Sequence, residues 1–216
     1  MHIIRQERTP MQYSRYLRFL ERSRARRRES ILFCQHEPVI TSGLQSQAQN
    51  LLQAVDSLAR QGIEFHQIRR GGDHTAHEPG QLLIYVHLDF KKRGLQLGPF
   101  FDSLLQIAAQ SIVQTWDLTL QTRPGAPGLY DTDGRKVLSI GLDVRRGFSG
   151  HGLALNIDNN LGTFRHIHPC GYADLQVASI GQLGGDPLLR AQWIESFCQR
   201  LIAALSFDSQ VKREHS

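Results

Sequence analysis

The chain has 216 residues, 40% of them hydrophobic and 21% charged, and 25 Lys+Arg against 20 Asp+Glu give it a formal charge of +5. That length suits one domain or two small ones, and the composition excludes wholesale disorder. No run approaches the roughly 18 apolar residues that span a bilayer, and the start carries no apolar core of the signal-peptide kind. Three cysteines, at 34, 170 and 198, are odd in number and lack paired spacing. They argue against a disulfide framework or a zinc cage and for reduced thiols in a cytoplasmic protein.

The charge is concentrated at the beginning. Residues 1–30 carry nine Arg and three Glu, a net of +6, while the remainder stands at −1. Arg22, Arg24, Arg26, Arg27 and Arg28 would suit a nucleic-acid arm. They end, however, a segment with helical grammar: Thr9 and Gln12 form a capping box around Pro10, and Tyr13, Leu17 and Leu20 recur on one face. The expectation is a docked basic helix over about 10–28 with a solvated arginine face, its cations complementing the helix dipole. Glu7, Glu21 and Glu29 interrupt what would otherwise resemble a transit peptide.

Beyond it, strand-like and helix-like blocks alternate with short connections, the pattern of an α/β or α+β domain. Ile31 to Cys34 reads as a buried strand with Cys34 as a small core residue. Asn50 is expected to cap a helix with Leu51, Leu52, Val55 and Leu58 as its apolar positions, stopped by Gly62. Ile63, Phe65 and Ile68 predict a strand feeding a polar loop, Arg69 to Gln81, followed by the strand Leu82 to Phe90. Pro99 opens an amphipathic helix to about Trp116. Asp133-Gly134 predicts a hairpin between Leu129-Tyr130 and the strand Lys136 to Val144, and His151 to Ile157 is another strand. Asp186-Pro187 starts the last helix, with Trp193, Ile194, Phe197, Leu201 and Leu205 on its apolar side and Cys198 within it.

Three segments are harder to explain as scaffold. Arg70-Gly71-Gly72-Asp73-His74-Thr75-Ala76-His77-Glu78-Pro79-Gly80-Gln81 has glycines that let the backbone approach a ligand and Arg, His and Thr as donors. Its spacing fits neither GxxxxGK[ST] nor GxGxxG, so a plain connection remains open. Lys136, entering a strand beside alternating apolar residues, either points into a cleft, where burial disfavours a charged amine, or faces solvent. Gly141, Gly152 and Ala154 on adjacent strands leave room for a narrow ligand channel or for tight sheet packing. In His168-Pro169-Cys170-Gly171-Tyr172, a thiol between proline and glycine is either presented for reaction or buried as a free cysteine; the nearby His166 and His168 have no diagnostic spacing.

Taken in this order, the segments resemble the lipoyl(octanoyl) transferase family, the octanoyl-carrier-protein to protein octanoyltransferases of lipoate biosynthesis. The likeness runs from Gln35-His36-Glu37-Pro38-Val39-Ile40-Thr41-Ser42-Gly43 through Arg70 to Gln81, Gly134 to Asn156 and Pro169-Cys170-Gly171. It implies that Cys170 and Lys136 form the reactive pair. It likewise implies that Arg70, Gly71, Gly72, Asp73, His74, Thr75, Ala76 and His77 line the acyl site with Ser139, Ile140, Gly141, Gly152, Leu153 and Ala154. The implied fold is the α/β fold of biotin and lipoate protein ligases, a mixed sheet flanked by helices. Two positions depart from the family pattern: Glu78 stands where a Gly is usual, and Ala178 where a Thr is common.

The resemblance implies an acyltransferase that needs no cofactor, ATP or metal, because a thioester lies uphill of the amide product. Its implied partners are octanoyl acyl carrier protein, and the lipoyl domains of 2-oxoacid dehydrogenases and the glycine cleavage H protein as acceptors. Neither a nucleic acid nor a membrane is expected, and nothing in the chain demands a dimer. Since carriers and lipoyl domains are generally acidic, Arg24, Arg26, Arg27 and Arg28 are candidate steering charges. An ATP-dependent lipoate or biotin ligase would share the fold without needing Cys170, and a nucleic-acid module would rest on the arginine cluster alone.

Overall fold

The computed structural model describes residues 1–211, with Cys170 and 207–211 described by their backbone alone. The elements in chain order are β1 (His2–Met11), α1 (Tyr13–Arg26), β2 (Ser30–His36), β3 (Val39–Ser42), α2 (Val55–Arg60), β4 (Glu64–Gln67) and β5 (His74–His77). There follow β6 (Gln81–His87), α3 (Phe90–Arg93), α4 (Leu97–Trp116), β7 (Gln121–Arg123), β8 (Ala126–Tyr130), β9 (Lys136–Arg145), β10 (Phe148–Asn156) and α5 (Arg190–Val211). Seven strands pair in the order β1-β2-β6-β10-β9-β8-β7, and β4-β3-β5 form a smaller sheet. The large sheet is antiparallel except for the parallel β1–β2 pair, giving the mixed sheet with flanking helices that the family resemblance implied.

Two-residue alternation decides which side each residue serves. Ile31 and Phe33 of β2 and Leu82, Ile84 and Val86 of β6 pack in one cluster with Leu104 and Ala108 of α4 and Trp193 and Phe197 of α5. The intervening Leu32, Cys34, Leu83 and Tyr85 pack instead with Tyr13, Tyr16 and Leu20 of α1. A third cluster under the small sheet joins Ile40, Leu58, Ala76 and Phe164. All five apolar residues expected on the last helix are buried.

Several local expectations fail for tertiary reasons. Thr9 and Pro10 do not cap a helix. They lie in β1, whose first residues pair with β2, and the register shifts between Gln6 and Met11, where the missing N–H of Pro10 does least harm. The helix starts at Tyr13 without a side-chain cap. Asn50 caps nothing either: it closes a 3-10 turn, Ala48–Asn50, and donates its amide to Asp73 Oδ2 at 2.5 Å. The helix that follows is confined to α2, leaving Leu52 and Val55 exposed. The segment read as a continuous loop after Arg69 contains β5, because antiparallel pairing with β3 satisfies its backbone. Phe90 belongs to α3, capped by Asp89 through Lys92 N, and Pro187–Leu189 is a 3-10 turn ahead of α5. No helix among the described residues is long and apolar enough to cross a membrane.

Candidate active site

Lys136 begins β9, and its backbone is clamped from both sides: its N–H donates to Gln176 O at 2.9 Å and its carbonyl accepts from Ala178 N at 3.0 Å. The side chain is only 2% exposed, and Nζ stands 5.3 Å from the centre of the Tyr130 ring. Gly128 on the paired strand makes this possible. At φ +143 it adopts a backbone few residues tolerate, and a Cβ there would collide with Lys136 Cε. Ala178 is wholly buried and serves through its backbone, accepting from Asn156 Nδ2 as well.

The Pro169–Gly171 turn that contains Cys170 is tethered at its other end. His168 N donates to Asn50 O at 2.8 Å, and Gly171, at φ +79, lies against Asn50 Nδ2 and Asp73 Oδ2, so that a Cβ would stand 3.1 and 3.2 Å from them. Asp73 also accepts from His74 N at 2.7 Å and Gln47 N at 3.3 Å. The cysteine turn is therefore held against Asn50 and Asp73, and the chain that follows it pairs with Lys136 through Gln176 and Ala178. The Cys170 side chain itself lies outside the described residues. The other two thiols are buried, and burial pushes Cys34 well up and Cys198 to about 11, with Arg5 opposing the latter shift.

Between these anchors lies a cleft. One wall is Arg70, Gly71, Gly72, Asp73, His74, Thr75 and His77; the other is Lys136, Ser139, Ile140 and Gly141 of β9 with Gly152, Leu153 and Ala154 of β10. Ala76 is not in this wall. Strand alternation turns it toward Ile40 and Leu58. Arg70 is buried and grips β3, donating Nε and Nη2 to Thr41 Oγ1 at 3.2 and 2.9 Å and Nη2 to Thr41 O at 2.7 Å, which fixes the loop's shape. Glu78 is buried too, accepting from Asn159 Nδ2 at 3.0 Å and Thr163 N at 2.9 Å, so its carboxylate pins the chain that leads to the cysteine turn.

Sequence reasoning missed four residues of the lining: Tyr13, Leu83, Tyr85 and His151. Tyr13, Tyr85 and His151 belong to a buried polar cluster in which Tyr13 Oη lies 3.4 Å from His151 Nδ1, His36 Nε2 lies 2.8 Å from Tyr85 Oη, and His151 N donates to Tyr16 Oη at 2.9 Å. Burial keeps the cluster uncharged. It pushes His77 down to about 3, helped by His36 and Arg70, and His36 to about 4 against the bond to Met11 O. His151 is held well below its ordinary value by burial and then by Arg70 and Arg24, while Tyr13 and Tyr85 are raised by burial. The cleft thus combines apolar and neutral polar surface with the buried Lys136 amine, while the charged Arg70 and Asp73 of its loop wall are engaged by Thr41 and Asn50, a setting suited to a neutral acyl chain. Tyr13 did recur on the helical apolar stripe; nothing local connects it to His151, 138 residues away.

The lipoyl protein ligase A/B catalytic domain model matches residues 7–206. An octanoyltransferase of Leptospira borgpetersenii is 44% identical over 176 residues, covering 81% of this chain and 80% of that protein. One from Vibrio atlanticus is 34% identical over 180 residues, covering 83% and 78%. In fold, the chain is similar to the bipartite lipoate protein ligase of Thermoplasma acidophilum, with a TM-score of 0.70 at 15% identity over 93% of this chain and 82% of that one. The biotin protein ligase of Aquifex aeolicus has a TM-score of 0.55 at 11% identity, over 100% and 72%. With a matched catalytic domain and relatives of this identity, the chain belongs to the lipoyl protein ligase A/B family and, within it, to the octanoyltransferases, acyltransferases of lipoate biosynthesis.

Proposed function

We propose that octanoyl transfer runs through a thioester on Cys170, from octanoyl acyl carrier protein to a lysine of a lipoyl domain or of the glycine cleavage H protein. The Cys170 sulfur attacks the carrier thioester carbonyl, the carbon–sulfur bond to the carrier breaks, and the carrier leaves as a thiol. The acceptor amine then attacks the Cys170 thioester, the amide forms, and the Cys170 thiol is restored. The first step exchanges one thioester for another and conserves the acyl activation, and the second releases it in forming the amide, so ATP has no role.

One observation carries this reading: a buried lysine lines the cleft beside a chain segment that runs on from the Pro169–Gly171 turn. Buried beside a thiol, a lysine ammonium favours the thiolate, and a neutral amine can take its proton. Lys136 is accordingly assigned as the activating residue. Arg70 to Asp73 and Ser139 to Gly141 are assigned as the acyl-site walls.

The test is an intact-mass spectrum after mixing with octanoyl acyl carrier protein. A single hydroxylamine-labile octanoyl adduct is expected on the wild type and none on Cys170→Ala. An adduct that persists in that variant, or maps to Cys34 or Cys198, overturns the assignment. Acyl transfer that demands ATP favours the ligase reading.

A further inference from the structure

Resting on that reading, we propose that the body of the acyl donor, an acidic carrier protein, docks on a cationic surface that three elements build at the arginine-rich end of α1. Arg27 ends the helix in the left-handed region, at φ 47. Its guanidinium donates to the carbonyls of Arg146 and Gly147 in the β9–β10 turn, at 3.3 and 3.4 Å, and to Asp89 Oδ2 at 2.5 Å. Asp89 caps α3, and Lys91 N donates to Gly147 O at 3.3 Å. Arg27 is therefore a latch rather than a docking group, and it gathers the exposed Arg26, Arg28, Lys91, Lys92 and Arg146 at one end of the molecule.

The acids in this region are already engaged. Asp89 holds Arg27, Glu29 holds Arg93 at 2.7 Å, and Asp143 holds Arg24 at 2.6 Å. Glu21 lies 3.3 Å from Arg24 and 3.6 Å from Arg145. Arg26, Arg28, Lys91, Lys92 and Arg146 have no ion pair among the described residues. What remains is an unneutralised positive surface, which attracts an acidic partner and speeds its encounter.

Its location selects the donor rather than the acceptor. Leu142 O accepts from Gly71 N of the cleft wall at 3.1 Å, and the neighbouring Asp143 holds Arg24. From Leu142 to Arg145 β9 advances about 10 Å, so the patch adjoins the cleft without covering it. An acceptor lysine reaches only a side chain's length from its own fold, and its domain must sit over the cysteine turn. A carrier holds its thioester on a flexible arm, so its body fits a surface set to one side.

The experiment compares wild type with a variant carrying Arg26→Glu, Arg28→Glu, Lys91→Glu, Lys92→Glu and Arg146→Glu, all outside the cleft. Donors are octanoyl acyl carrier protein and octanoyl-coenzyme A, the latter lacking a protein body; acceptor concentration is varied separately. The carrier KM should rise about tenfold or more and lose most of its salt dependence, with kcat, the coenzyme A reaction and the acceptor KM little changed. A neutral variant with Gln at the same five positions should fall between, which a folding defect would not produce. An unchanged carrier KM, an equal loss with both donors, or a matched rise in acceptor KM overturns the proposal. So does a patch that binds duplex DNA while carrier kinetics stay intact. Failure of wild type to transfer octanoyl from either donor would instead overturn the octanoyl-transfer reading itself.

Discussion

The two faces of the seven-stranded sheet are built from the same strands and have opposite characters. Under α4 and α5 the contacts are apolar: Phe33 meets Phe197 edge-on with ring centres 6.3 Å apart, and Trp193 stacks on Phe197 at 5.0 Å. Under α1 the same alternation delivers Tyr16 stacked on Tyr85 at 3.6 Å, with His36, His87 and His151 around them. One face carries stability through dry burial. The other holds neutral polar groups linked by hydrogen bonds, and it opens into the cleft. A catalytic surface can be placed on a polar face because the opposite face anchors the sheet independently.

The sharpest separation of the two faces comes from Lys136→Met in the cleft. Single-turnover rates of both half-reactions should drop by about 10³-fold or more while the melting temperature stays near wild type, and the Cys170 thiol pKa, read by alkylation, should rise. Lys136→Arg should restore acylation in part but leave transfer to the acceptor slow, since guanidinium stabilises a thiolate and cannot accept its proton. Preserved rates and an unaltered alkylation profile in Lys136→Met would demote the residue to packing.

On the opposite face the expectation inverts. Phe197→Ala should cost about 3–5 kcal/mol of unfolding free energy by urea denaturation, with kcat/KM of the folded enzyme within about twofold. A variant that keeps its stability but loses activity would mean the faces are coupled.

Acid should discriminate the faces more gently. His77 and His87 fall from an ordinary 6.5 to about 3 through burial, so the unfolded chain takes up protons first as pH drops. Their stabilising contribution is complete above about pH 6.5 and declines as pH falls toward 3. Melting temperatures from pH 7 to 4 should therefore slope downward, and His87→Phe should flatten the slope. Parallel slopes in wild type and variant would exclude His87 as a source.

The smallest effect is expected from Tyr13→Phe. Its hydroxyl is 3.4 Å from His151 Nδ1, a long contact, so its loss should cost about 0.5–1.5 kcal/mol in urea unfolding. A larger loss would make the polar cluster cooperative.

Much of this molecule is written in local sequence. The β8–β9 hairpin follows from Asp133-Gly134, α4 and α5 from their apolar spacing, and the glycine-rich, lysine and Pro-Cys-Gly segments stand out by residue type because few scaffolds need them there. Local pattern failed where a distant segment supplied the missing partner. Thr9-Pro10 looked like a helix start until β2 paired beside it, Asn50 looked like a cap until Asp73 took its amide, and His74–His77 looked like loop until β3 completed its hydrogen bonds. The cleft divides the same way. Sequence marks Arg70 to His77, Lys136 and Ser139 to Gly141 as unusual, but only long-range packing turns Ala76 away and brings in Tyr13, Tyr85 and His151. Side-chain periodicity specifies which face of an element is buried; which residues meet across that buried face depends on strand order and register, which no local window contains.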